Sequence, residues 1–504
     1  MMFRGHLRKL AYPGGMVRYC NFNGVKLIDF KAHAEHQTAR LIAASETEAK
    51  RLGRPIEYLS SAELRKEDHA RMIAVRDGIT NGLIGVLTCV EPCWSFNLRG
   101  NRVSQKLEFQ PGMRKCLHLY HYYRHPLFGF CYARIQTWFP FTIQIGLNGR
   151  EWLSRQLDGA GLSYRRHDNC ISWVEDVAAA QALLDTQLRL NWTRALREIG
   201  SWVHPIQAEI LGKFRDDYYW SLKQSEWASD VLFAKSSDLQ ARYEHWLRYA
   251  TLNCRSADVL RFLGRKLTVA GEVNGHYRDE VLSDLGRRVE GVRIKHRAGA
   301  NSIKMYDKAG GRVLRIETTI HDPSDFKVYR VKEGDPKGEK DWRVLRSGVA
   351  DIHRRAQVSQ SANERYAEGL AVVAHDRPLR ELLKPLGQRV AEPGDSGRKL
   401  RGLTPLVGED AVLLAVVGRP EFMLNGLRNR DLLEAEGSPP KTATERKQRS
   451  ARISRQLRLL RAHGILRKVS KTHRYQVTER GRVILTALNA ASHASTQKLV
   501  EKAA

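Results

Sequence analysis

The sequence predicts an α+β protein of several domains, with antiparallel sheets first and a compact, mostly helical module last. Three observations lead there. The chain has 504 residues, which at ~100–200 residues per domain corresponds to about three. Two stretches, 116–145 and 292–320, alternate apolar and polar residues between Gly, Asn and Pro turns. That is the pattern of hairpins rather than of βαβ crossovers. Beyond Lys399 the apolar period becomes helical. The expected domains are 1–200, 201–390 and 400–504.

In chain order, Ser60-Ser61-Ala62-Glu63 has the capping-box pattern and predicts a helix through Met72 and Ile73 to Asp77-Gly78. Leu83 to Val90 predicts a strand. Cys116 to Tyr123 and Phe130 to Phe139 predict a hairpin turning at Pro126, with Pro140 at a bulge or edge. Arg150 to Leu157 predicts a helix burying Trp152, Leu153 and Leu157, and Val177 to Leu196 predicts a second. Ser237 to Tyr249 and Ser256 to Leu263 read as further helices. Val292 to His296, Ser302 to Lys308 and Val313 to Ile320 read as a three-stranded meander with Gly299 and Gly310-Gly311 at its turns. Ser361-Ala362-Asn363-Glu364 predicts another helix start. Glu392 to Lys399, holding Pro393, Gly394, Ser396 and Gly397, reads as the linker.

After it, Glu409 to Val417, Leu427 to Leu433 and Thr444 to His463 are helical, with Gly464 where a C-cap glycine belongs. Ile465 to Val469 and Arg474 to Val477 pair as strands, and Thr478-Glu479 opens a last helix. Ile453, Leu457 and Leu460, at i, i+4 and i+7, make the buried face of the long helix. Arg446, Lys447, Arg449, Arg452 and Arg455 lie along its other sides, and Lys468, Lys471, His473 and Arg474 line the hairpin. From Lys441 to Arg482 there are fourteen Lys or Arg against Glu445 and Glu479.

The order of these elements resembles the winged helix-turn-helix domains of bacterial transcription regulators. So do the phrases Ser450-Ala451-Arg452-Ile453-Ser454-Arg455-Gln456-Leu457 and Tyr475-Gln476-Val477-Thr478-Glu479-Arg480-Gly481-Arg482. The resemblance implies a long helix entering the major groove of duplex DNA and a wing reaching phosphate or the minor groove. A docking or spacer role is the alternative. Concentrated like charge gives a docking surface little, which favours DNA.

Strand alternation places Arg293, Lys295, Lys304, Tyr306, Lys308, Arg315 and Glu317 on one face of the meander, expected to be open. A tyrosine hydroxyl flanked by cations can attack a DNA phosphate, and a carboxylate can hold a metal that polarises it. The phrases Ser302-Ile303-Lys304-Met305-Tyr306-Asp307-Lys308 and Leu314-Arg315-Ile316-Glu317 resemble the strand pair around the tyrosine of rolling-circle replication initiators of mobile elements. That resemblance implies a DNA-nicking endonuclease with Tyr306 as nucleophile, assisted by Lys304, Lys308 and Arg315. Glu317 would hold Mg²⁺ or Mn²⁺. A paired-histidine metal motif is not evident. The alternative is a non-catalytic basic sheet that tracks a phosphate backbone.

Nine aromatics between Tyr120 and Phe141, interleaved with Arg124 and Arg134, suggest either a base-stacking sheet for single-stranded DNA or RNA or aromatic strands packed in a core. Cys89, Cys93, Cys116, His118 and His121 supply enough ligands for zinc. Their spacing is not a zinc signature, and buried, unligated cysteine is the expectation.

The net charge of +29 points to a polyanionic partner, nucleic acid first. The longest apolar run, Ala411 to Val417, is far short of the ~20 residues a spanning helix needs, so no membrane partner is expected. Seven scattered cysteines, and a basic N-terminus with no apolar segment after it, suggest a reducing cytoplasm. No Walker loop, nucleophile elbow or zinc-protease helix is present. Two function classes follow: a DNA-processing enzyme of a mobile element, or a non-enzymatic DNA-binding regulator or architectural protein. An RNA-binding protein comes third.

Overall fold

The computed structural model describes residues 1–492 apart from 61–64, 104, 253, 266, 268–272, 274, 276, 289–290, 333, 336, 372–378, 392–398, 420–421, 423–425, 436–439, 441 and 470–471. The capping box at Ser60-Ser61-Ala62-Glu63 and the linker at 392–399 fall largely outside the described residues. The fold is α+β, and contacts divide it into two compact units. One is Met1–Trp227 with Thr319–Gln357; the other is Ala228–Thr318 with Val358–Ala504. Among the described residues no helix is long and apolar enough to cross a membrane.

The strands that build the first unit are β1 (Met2–Leu7), β2 (Ile56–Tyr58), β3 (Gly82–Asn101), β4 (Lys106–His125), β5 (Gly129–Gln136), β6 (Ile143–Gly146), the small hairpin β7 (Tyr164–His167) and β8 (Cys170–Val174), and the start of β9 (Tyr218–Leu232). Its main sheet runs β9-β1-β6-β5-β4-β3-β2. Neighbours are antiparallel except β2, which lies parallel to β3.

β3 and β4 are far longer than the strands expected at Leu83 to Val90 and Cys116 to Tyr123. Their ladder runs from Gly82 opposite Arg124 to Asn101 opposite Lys106. Pro92 and Pro111 interrupt the sequence pattern but not the strands. β5 pairs β4 only from His118 to His125, and β2 pairs β3 only from Ile56 to Tyr58 against Val86 to Thr88. Among the described residues both prolines therefore sit where a strand has one partner, and a missing N–H on the other edge costs no ladder bond.

The Gly149–Gly159 helix starts where Asn148 Oδ1 accepts from the Arg150 N–H at 2.9 Å, and it buries Trp152, Leu153 and Leu157 as expected. The helix expected over Val177 to Leu196 is two, Val177–Thr186 and Trp192–Val203. The Asn191 side chain accepts from the Arg194 N–H and starts the second.

The second unit contains a sheet of β10 (Val281–Arg288), β11 (Gly291–Ala298), β12 (Asn301–Lys308) and β13 (Val313–Ile320) in that order. The expected meander is its last three strands. Gly299, Gly310 and Gly311 all take positive φ at the turns, a conformation that needs no Cβ. β10 was not expected, because Asp284 and Gly286 are poor strand formers.

Ser361-Ala362-Asn363-Glu364 is no helix start. It lies inside the Ile352–Ala371 helix. Its polarity serves the sheet instead: Asn363 accepts from Thr318 Oγ1 at 2.6 Å and donates to Ser229 Oγ at 3.0 Å. Nearby, His296 Nε2 meets the Tyr366 hydroxyl at 3.0 Å.

The C-terminal elements follow the expected order. Helices Gly408–Val417, Asn429–Ala435 and Ala443–Ala462 precede the Leu466–Lys468 and Tyr475–Val477 hairpin, and Glu479–Ser492 closes the module. Leu413, Leu432, Ile453, Leu457, Leu460 and Ile484 form its core. Leu427, expected in a helix, instead bridges to Tyr475 through two 2.8 Å backbone hydrogen bonds and adds an edge to the hairpin.

Candidate nucleic-acid interface and two side-chain clusters

The Ala443–Ala462 helix begins at Thr442, whose Oγ1 accepts from the Glu445 N–H at 3.1 Å. Ile453, Leu457 and Leu460 are buried, as their spacing demands. Arg446, Lys447, Arg452 and Arg455 are exposed. Arg449 is half-buried and donates to Glu445 at 2.5 Å, one turn earlier. Lys468, His473 and Arg474 are exposed on and beside the hairpin, while Lys471 lies outside the described residues.

Two further residues of this surface escaped the sequence reading. Arg458 is exposed three residues beyond Arg455, a continuation that the spacing itself signals. Asn429 has no sequence signature. Its amide donates to Ser450 O at 2.8 Å and Ser454 Oγ at 2.9 Å, and it accepts from Ser450 Oγ at 3.0 Å. This clamp fixes the long helix against the one before it.

The face of β12 and β13 that carries Tyr306 gathers the expected residues, but it is not open. Tyr306 is 6% exposed, Arg315 2% and Glu317 5%, and Lys308 is buried too. Only Lys304, together with Arg293 and Lys295 on β11, is half-buried. Glu317 accepts from Tyr306 Oη at 2.7 Å on one oxygen and from Lys304 Nζ at 2.6 Å on the other. Arg315 forks onto Asp230 with bonds of 2.6 and 2.7 Å.

Burial raises the Tyr306 hydroxyl well above its ordinary range and Glu317 adds to this, with Arg315 working the other way. Burial also works to raise Glu317, but Lys304, Tyr306 and Arg315 outweigh it and hold the carboxyl below its usual range. The expectation of an open, half-solvated face is thus corrected. Alternation sorted the side chains properly, but it cannot tell which face another layer covers.

The aromatics of β4, β5 and the following turn are core. Tyr122, Tyr123, Phe128, Phe130, Trp138, Phe139 and Phe141 are buried, and Tyr120 and Tyr132 half-buried.

A second cluster lies on the β3–β4 ladder. Cys93 Sγ and Cys116 Sγ are 3.3 Å apart, and Cys116 Sγ lies 4.0 Å from His118 Nδ1. The Cys93 contact, with His118 adding, holds the Cys116 thiol below its ordinary range. The same contact and burial push Cys93 up. Of the other two candidates, Cys89 lies directly opposite His118 but turns its Sγ to Val90 O at 3.8 Å, and alternation places His121 on the opposite face from His118. Glu91, opposite Cys116, accepts from Tyr120 at 2.7 Å and Arg134 at 2.8 Å and pairs with Lys66 at 3.4 Å.

A scan against protein-family models and a search of curated proteins returned no match to this chain.

Proposed function

We propose that this protein binds duplex DNA through residues 400–504, with the Ala443–Ala462 helix in the major groove and the 466–477 hairpin as a wing. One observation carries the reading: Lys447, Arg452, Arg455 and Arg458 stand exposed on a helix whose apolar residues are buried, beside a hairpin bearing Lys468, His473 and Arg474. Such a surface can neutralise several phosphates while the helix reaches base edges. The cytoplasm belongs to the same proposal. All seven cysteines are free, which supports a reducing compartment.

A non-enzymatic regulator or architectural protein is the preferred class. The tyrosine-nickase reading rests on the gathering of Lys304, Tyr306, Arg315 and Glu317, but it requires phosphate to reach a hydroxyl that is buried and engaged by Glu317. Single-stranded DNA or RNA as partner is weakened by the burial of the aromatic strands.

The test is duplex binding by the full chain across salt. Contact with about six phosphates implies a loss of roughly 10³-fold or more between about 50 and 200 mM salt. Removing residues after Lys399 is expected to abolish most of the binding. Full affinity in the truncated chain would overturn the proposal.

A further inference from the structure

One sulfur of Cys93, one of Cys116 and a ring nitrogen of His118 lie within 4.8 Å of one another. We infer that these three residues form a Zn²⁺ site, independent of the proposed DNA surface.

The ladder explains how the ligands meet. Cys93 lies opposite Arg114 and Cys116 opposite Glu91, so the two cysteines are diagonal neighbours on one face, and His118 follows Cys116 on that face. Zinc bound tetrahedrally, with Zn–S of about 2.3 Å and Zn–N of about 2.0–2.1 Å, holds its two sulfurs roughly 3.8 Å apart and sulfur from nitrogen roughly 3.6 Å. The observed 3.3 Å and 4.0 Å separations fall on either side of those distances. Small side-chain rotations suffice to admit the ion.

Two thiolates and an imidazole suit zinc and exclude hard cations such as Mg²⁺. Loading displaces one proton from each thiol. It also requires the lone pair of His118 Nδ1, now 3.2 Å from Cys116 O, with the ring proton on Nε2. Glu91 is the nearest carboxylate across the ladder, but it is already held by Tyr120, Arg134 and Lys66. Cys89, opposite His118, turns its thiol to Val90 O, so with the side chains as they stand the fourth corner falls to water. The ion would tie β3 to β4 beside Pro92, which has no N–H to give to a ladder.

The experiment uses the untagged full chain, purified under reducing conditions. Expected are one zinc per chain by elemental analysis and, after exchange with Co²⁺, a thiolate-to-cobalt charge-transfer band with tetrahedral d–d bands. Cys93→Ser and Cys116→Ser should lose that spectrum, and Cys89→Ser should keep it. Should the serine variants fail to fold, His118→Cys is a gain test, because a third thiolate should intensify the charge-transfer band. A folded wild-type chain that takes up neither metal would overturn the inference. So would a cobalt spectrum unchanged in Cys116→Ser.

Discussion

The Tyr306 hydroxyl donates a 2.7 Å hydrogen bond to Glu317 across neighbouring strands of the second unit. The bond joins a neutral donor to a buried carboxylate that Lys304 also holds. Tyr306→Phe deletes only the donor. A buried hydrogen bond to a charged group contributes about 1.5–3 kcal/mol, so the variant should lose stability of that order in urea unfolding. Its duplex affinity should not change. Wild-type protein incubated with supercoiled or single-stranded DNA and Mg²⁺ or Mn²⁺ should leave no covalent adduct. An adduct that disappears in Tyr306→Phe would restore the nickase reading.

Base reading and phosphate contact separate by position on the long helix. Arg452→Ala and Arg455→Ala should reduce both affinity and sequence preference, because these exposed residues lie in the middle of the helix. Lys447→Ala, in the first turns, should weaken all duplexes alike and lower the salt slope by about one. Binding to a panel of duplexes at two salt concentrations checks both, and equal effects from all three would argue against a helix in the groove.

Asn429 offers a test that removes no charge. Asn429→Ala cuts its bonds to Ser450 and Ser454, so the long helix loses its anchor to the helix before it. Duplex affinity should fall several-fold while the net charge of +29 is unchanged. Thr442→Ala removes the cap of the same helix and should cost about 0.5–2 kcal/mol of stability. Circular dichroism melts alongside binding isotherms distinguish loss of position from loss of fold.

Acid should loosen the C-terminal module through Asp410. The Arg401 guanidinium, which forks onto it with bonds of 2.6 and 2.7 Å, holds this carboxyl down at about 2, with the Thr404 N–H adding. A depressed carboxyl stabilises the fold above its unfolded value of about 4, and that contribution is lost as pH falls toward the folded value. Asp410→Asn should be less stable than wild type at neutral pH, and the difference should shrink between about pH 4 and pH 2. A difference independent of pH would exclude the ion pair as its cause.

The C-terminal module was the most legible part of the sequence. Its helices carry a clear period and Gly464 is a local stop signal, although the long helix starts from a cap at Thr442, ahead of the expected Thr444. The meander was legible strand by strand, yet the burial of Tyr306 and Glu317 was not, since alternation assigns faces without saying what packs on them. Ser361 to Glu364 misled because its Asn363, turned inward to meet Thr318 and Ser229, contributes to a polar stretch that looks, in sequence, like a helix start. Cys93, Cys116 and His118 were named in sequence among five possible ligands, but their grouping was not legible: Cys93 and Cys116 are 23 residues apart, and only the ladder sets them on one diagonal.

Where β3 runs past Thr88 and β4 lies before Leu117, the two strands pair only with each other among the described residues. Such a ribbon offers two edges to any passing chain, and strand-to-strand association is how soluble proteins begin to aggregate. Pro92 on one strand and Pro111 on the other withhold an amide from a would-be partner, and Lys106 and Lys115 add charge to the second. The prolines that disguise these strands in the sequence thus act as guards against self-association. Replacing both with threonine would leave a smoother ladder and a stickier protein.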